Sequence, residues 1–579
     1  MSNKIVSLKE AVATIPNGAH ISLGGFTTQR HPMAFVHELI RQKKRNLHFY
    51  GHSPGGDLDM LIGAGCVRRV ELAYEADEAF ATIGPRFRNA IEQGLIEWED
   101  YSNFGMVQRF AAGAMGIPFI PTRTLLGSDM LRKEGFSQEI RSSDPKIASK
   151  KFSTIDCPFT RDKVVLLPAI QTDVTIIHVQ VVDTQGTVRI YGQLFGDEQQ
   201  AKCAKRLIVT CEEIVEPEIL REQPEHNSIP FFRVDAIVKI PYGAHPYACY
   251  RYYDYDPEFL HVYHEKAKSR DTFTEFLDEY VLGVDNWEEY LEKIGGTKKL
   301  KKLKANRKLG YNPSLRRRQK KLKKGYAEDY TLFELMTVVS AQEIKDKEIV
   351  FAGTGVPMLG AMLAQHTHAP NCVIVFEAGA VDCKLAHLPM SVGDPRTMRL
   401  ASTATGLFDV FSTVLQNGWI DVGFLSGAQI DRFGNINATA IGDYLHPTVR
   451  FTGSGGSGDI ACLSKRTVII ARHEKRRFPE RVDYITSPGW IDGPDGRDKE
   501  GLRWGGPSAV VTTMGVLRFS DDTKTAYLSS YHPKISPQSI QENTGFELDI
   551  SHAAETEKPT DEEIHILRNV VDPERIFLK

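Results

Sequence analysis

No stretch of the 579-residue chain approaches the roughly 20 consecutive apolar residues that a bilayer-spanning helix needs. The first residues, Met1 to Pro16, are polar and amphipathic and carry no secretory apolar core. A cytoplasmic protein without a membrane partner is expected. Cysteine is sparse and unpatterned: Cys66, Cys157, Cys203, Cys211, Cys249, Cys372, Cys383 and Cys462 include no CxxC pair, and no histidine cluster at ligand spacing accompanies them. This argues against a zinc site or a disulfide framework and for free buried thiols.

What is present is ordinary globular composition, 41% hydrophobic and 25% charged. The length exceeds what one hydrophobic core usually serves, so two domains are expected. A net charge of −3 hides one local excess, since Lys298 to Lys324 holds fourteen Lys or Arg and no acidic residue. The run holds a single aromatic, Tyr311, and no recognition motif, which argues against a nucleic-acid partner. Its like charges repel, and Gly295, Gly296, Gly310 and Pro313 interrupt any regular element. It reads as an exposed joint, centred on 312–328, between domains at 1–311 and 329–579.

The two sides of that joint repeat the same landmarks in the same order. Ile21–Phe26 enters a glycine turn and Pro32 follows; Ile349–Gly355 does the same before Pro357. Asp173-Val174 opens an apolar run ending in Asp183 and Gly186, and Asp421-Val422 opens one ending in Asp431 and Gly434 at identical spacing. Lys205-Arg206 pairs with Lys465-Arg466, and Val234–Ile237 with Val482–Ile485. The β-branched runs Val164–Ile170, Val174–Val182, Cys372–Phe376 and Thr467–Ala471 suit strands buried on both faces. Helical patterns at His31–Arg41 and Met358–Gln365 lie between strands, which predicts two homologous α/β domains with largely parallel sheets.

In such sheets ligands gather at the carboxyl ends of the strands, and the crevice between paired domains is the default pocket. Cys372–Phe376 delivers Glu377 to such an end, followed by Ala378-Gly379-Ala380, whose small side chains leave room for a large substrate. The pattern alone also admits an ion pair capping a strand. Gly353-Thr354-Gly355 is placed to present backbone N–H groups to an oxyanion or phosphate. Gly453-Ser454-Gly455-Gly456 concentrates glycine beyond what a turn requires.

On these segments the second half resembles the β subunit, and the first half the α subunit, of glutaconate CoA-transferase, a class I CoA-transferase. The likeness rests on GTGVPMLGAMLA, FEAGAVDC, SVGDPR, GAQIDRFGNINATAIGDYLHP and RFTGSGG in the second half, and on HISLGGFTTQRHP, GGDLDMLIG, GTVRIYG and PYGAHP in the first. It implies a fusion of two subunits, two domains of the NagB/RpiA type, and Glu377 as the catalytic glutamate. Coenzyme A is then a substrate, no cofactor is permanently bound, an acyl-CoA and a free carboxylate (glutaconate, a related dicarboxylic acid or another organic acid) are the partners, and a homo-oligomer is expected. Gly353, Gly355, Ala378, Gly379, Gly453, Gly455 and Gly456 are placed at the CoA and oxyanion side, and Gly25, Phe26, Arg30 and Glu78 at the acyl side. Arg30 is the expected partner of a distal substrate carboxylate. The acidic segment Tyr74–Glu78 opposes such a carboxylate. Hydrolysis or decarboxylation of acyl-CoA on the same fold is the alternative activity.

Overall fold

The computed structural model describes residues 4–315 and 329–578. In the first half, β1 (His20–Leu23), β2 (Leu47–Gly51), β3 (Val67–Leu72), β4 (Glu97–Asp100), β5 (Val174–Asp183), β6 (Arg206–Val215) and β7 (Ala236–Lys239) lie in the order β7-β6-β5-β1-β2-β3-β4. All neighbours are parallel. β5, VTIIHVQVVD, is buried at every position because both faces of the sheet are covered. The connecting helices include α1 (Met33–Arg41), which crosses from β1 to β2, and α2 (Asn103–Met115), which starts just after β4.

The second half repeats this centre. β8 (Ile349–Phe351), α3 (Val356–His366), β9 (Val373–Phe376), β10 (Val422–Leu425), α4 (Ser457–Leu463), β11 (Arg466–Ala471) and β12 (Pro507–Thr512) follow in chain order. The strands align in parallel as β9-β8-β10-β11-β12. Short antiparallel strands extend both margins, Ala380–Val381 beside β9 and Gly515–Phe519 beside β12.

The repeated landmarks have one physical cause in each half. Asp173 Oδ2 accepts the N–H of His20 at 3.0 Å, and Asp421 Oδ2 accepts the N–H of Ile349 at 2.8 Å. Each aspartate thus ties the start of its half's first sheet strand to the neighbouring strand. Ten residues on, Asp183 collects the N–H groups of Gln185, Gly186 and Thr187, and Asp431 those of Phe433 and Asn435. A short side chain that accepts several backbone donors fixes a tight turn.

Three expectations are corrected. Val234–Ile237 runs into β7, whereas Val482–Ile485 is irregular, and the strand beside β11 is β12. Lys163–Pro168 belongs to a separate antiparallel sheet with Phe119–Thr122 and Ser153–Asp156. The basic run begins inside the first half: Gly296–Leu303 is helical, Leu303 is buried, and Lys299 pairs with Asp256 at 3.0 Å and Glu258 at 2.7 Å. Alternating Lys and Leu let one helix face pack while the other stays in water. Most of the expected joint, 316–328, lies outside the described residues.

The halves are bound by buried polar contacts. Arg450 forks onto Asp100 at 2.8 and 2.5 Å, and Tyr444 donates to the same carboxylate. Such a pair fixes register, because separating it strands buried charge. Around it the apolar core is continuous across the junction, with Phe104 stacked on Phe411 at 5.7 Å.

Candidate active site

β8 and β9 are in register at Phe351 and Val375, so the segments leaving their carboxyl ends lie side by side. One is Ala352–Gly355, leading into α3; the other carries Glu377. Gly355 has φ +82°, which side chains disfavour, and a Cβ on Gly353 or Gly355 would meet nothing within 4 Å. Both glycines therefore border open space beside Glu377. Ala378 is fully buried and Gly379 packs against the Thr405 carbonyl. Their smallness serves the turn behind Glu377, not an approach path in front of it.

The opposite wall comes from the first half. Ser102 caps α2 by accepting the Gly105 N–H, and Asn103 follows in the first turn. Ser53 donates to Asn103 Oδ1 at 3.0 Å, which turns Nδ2 toward Glu377 Oε1 at 3.5 Å. Asp459 of α4 accepts the Phe104 N–H at 3.0 Å and the Ser102 hydroxyl at 2.5 Å, so a carboxylate of one half satisfies the helix start of the other.

The glycine-rich loop is part of this junction. Gly455 donates to the Ala73 carbonyl and accepts from Asn103 N–H, while Glu75 N–H reaches Thr452. Gly453 lies over the Ala73 carbonyl and Gly455 beside Tyr74. A Cβ on Gly456 would fall 2.2 Å from Glu377 Oε2, so only glycine leaves the carboxylate its place.

Two other carboxyl groups act on Glu377, Glu78 and the fully buried Asp459. Burial, then Glu78, then Asp459 push Glu377 up to about 8. Burial pushes Glu78 up to about 7 against the opposing hydrogen bonds of Ser391, Val392 and Thr27, and burial pushes Asp459 to about 7. Tyr74 faces Glu78 and Glu377, and burial with these neighbours holds its phenol protonated.

Of the acyl-side residues, Glu78 reaches the crevice, with Ser391 Oγ donating to it at 2.9 Å and Val392 N–H at 3.2 Å. Gly25 and Phe26 lie beneath it: Gly25 N–H bonds Asp197, and the buried Phe26 ring covers Gly393. Arg30 is placed otherwise than expected. Its guanidinium is fully buried, pairs with Asp197 at 2.8 Å, donates to the Gln193 carbonyl and lies over the Phe195 ring. It is committed inside the first half and is not presented to a ligand. Asn103, Tyr74, Ser391 and Asp459 also belong to the site; Ser391 opens SVGDPR and Tyr74 the acidic segment, whereas Asn103 and Asp459 lie in no segment that the sequence singles out.

Among the described residues one metal-capable group comes together, His178, Glu212 and Cys249, with ligand atoms within 4.8 Å of one another. Its Glu212 is already engaged by His178, Tyr253 and the Tyr242 N–H. All eight cysteines are free thiols, and all but Cys157 are buried. Among the described residues no helix is long and apolar enough to cross a membrane. A cavity of about 630 Å³ beside Leu385–Leu388 and Val571–Glu574 does not include Glu377 in its lining.

The family model described as Coenzyme A transferase matches residues 5–240 and 333–543. The first half is 42% identical over 320 residues to the A subunit of glutaconate CoA-transferase from Acidaminococcus fermentans, covering 55% of this chain and 100% of that relative. The second half is 44% identical over 256 residues to the B subunit of the same enzyme, covering 43% of this chain and 96% of that relative. The crystal structure of an acyl-CoA transferase from E. coli O157:H7 superposes with a TM-score of 0.68 over 95% of both chains, at 15% identity, and so shares the fold. With counterparts of both glutaconate CoA-transferase subunits present in one polypeptide, the chain belongs to the coenzyme A transferase family and is a CoA-transferase.

Proposed function

We propose that the enzyme moves coenzyme A from an acyl-CoA to a free carboxylate through a thioester on Glu377. The observation that supports this most is the placement of Glu377: at the carboxyl end of β9, in the crevice between the halves, faced by an amide donor and by bare glycine backbone. Ionised Glu377 attacks the thioester carbonyl, forming an acyl–oxygen bond and releasing CoA thiolate. The thiolate attacks the glutamyl carbonyl of this anhydride and expels the first acyl group as a carboxylate, leaving glutamyl-CoA. A second carboxylate attacks that thioester, and the same bonds form and break in reverse.

Each step places negative charge on a carbonyl oxygen. Asn103 Nδ2 is suited to the oxygen of Glu377 itself, and the N–H groups around Gly353 and Gly355 to the substrate's. The half-reactions must exclude water, or the anhydride hydrolyses. Domain limits of 1–311 and 329–579 and a cytoplasmic setting belong to the same reading. Steady-state kinetics with varied donor and acceptor test it: parallel double-reciprocal lines and CoA transfer that depends on the acceptor are expected. CoA release that continues undiminished without any acceptor would favour a hydrolase.

A further inference from the structure

The turn Ser391-Val392-Gly393 presents donors toward the crevice in the manner of a carboxylate receptor. Ser391 Oγ and the Val392 N–H both point one way, and Thr27 Oγ1 joins them 2.6 Å from Ser391 Oγ. What fills this receptor is Glu78, one oxygen on Ser391 and the other on Val392. Glu78 holds φ +47° and Thr27 φ +41°, conformations that side chains rarely adopt, so the contact is maintained against backbone preference.

The charges around it agree. The groups acting on Glu377 are Glu78 and Asp459, both acidic, and the charged group acting on Glu78 is Asp394, also acidic. The cations of the adjoining segments are engaged elsewhere: Arg30 with Asp197, and Arg396 with Asp254 and Asp394. A second substrate carboxylate would enter an acidic crevice and find its hydrogen-bond donors taken.

We propose that Glu78 restricts the acyl substrates to monocarboxylic acids, by filling with its own carboxylate the Ser391–Val392 donor set that a distal substrate carboxylate would need. This rests on the reading of Glu377 as the acyl and CoA relay, and it names the substrate class for that site. Removing the Glu78 side chain vacates the receptor and removes a like charge, so dicarboxylic acyl groups gain most.

The test compares pentanoyl-CoA with glutaryl-CoA, equal in carbon number and different in the distal carboxylate. The rate of CoA adduct formation on Glu377 is followed by mass spectrometry in the full-length wild type, Glu78→Ser and Glu78→Gln. The wild type is expected to favour pentanoyl-CoA at least tenfold. Glu78→Ser is expected to lower that ratio at least tenfold, and Glu78→Gln, which loses charge but keeps bulk, to lower it less. Because a ratio is read within each variant, a general structural loss cancels. Equal or faster reaction of glutaryl-CoA with the wild type, or an unchanged ratio in both variants, overturns the proposal while leaving the relay intact. An adduct with neither donor overturns the relay, and the proposal with it.

Discussion

Asn103 Nδ2 lies 3.5 Å from Oε1 of Glu377, although the two residues belong to different halves of the chain. The amide is aimed by Ser53, and its helix start is held by Asp459. The distance is long for a ground-state bond, and in the proposed mechanism it should shorten when CoA thiolate attacks the glutamyl carbonyl and charge builds on that oxygen. Asn103→Ala is expected to lower kcat by about 10²-fold, the usual loss for one oxyanion donor, with little change in KM. Equal rates in stopped-flow turnover of the variant and wild type would remove Asn103 from the reaction.

The pH dependence arises in the same crevice. Attack needs ionised Glu377, whose titration is raised to about 8 by burial, Glu78 and Asp459. A raised carboxyl is protonated and inactive below its midpoint, so adduct formation should rise about tenfold per pH unit until near pH 8 and then level. Glu78→Gln removes the larger of the two like charges, and the rising limb should shift to lower pH. Single-turnover rates between about pH 5.5 and about 9 measure the rising limb and the plateau in wild type and variant.

Gly456 separates chemistry from folding. Its φ of −85° is one any residue adopts, yet an added methyl would fall 2.2 Å from Glu377 Oε2 and 2.8 Å from the Phe411 ring. Gly456→Ala should displace the carboxylate and lower kcat by about 10²-fold, the loss that misplacing a reacting group by an ångström produces. Circular dichroism should report an unchanged fold, and a variant of normal activity would mean that Glu377 tolerates the shift.

The place of Glu377 at a strand end was legible because β-branched residues precede it and small residues follow it, while its role came only from the resemblance. The Asp173/Asp421 and Asp183/Asp431 repeats were legible because each aspartate acts on backbone close by or at a repeated position in the sheet. Arg30 misled because its partner Asp197 stands 167 residues away, and nothing local signals that its charge is already matched. Asn103 and Asp459 were invisible for a related reason: their roles exist only once the two halves meet. Val482–Ile485 resembled Val234–Ile237 in residue type alone, which says nothing about which segment the sheet edge accepts.

The central claim is covalent. Full-length enzyme incubated with an acyl-CoA donor and no acceptor, then analysed by intact mass and peptide mapping, should carry one CoA-sized adduct on the peptide containing Glu377, and Glu377→Ala should carry none. An adduct on a different residue, or CoA transfer by Glu377→Ala at the wild-type rate, would contradict the account.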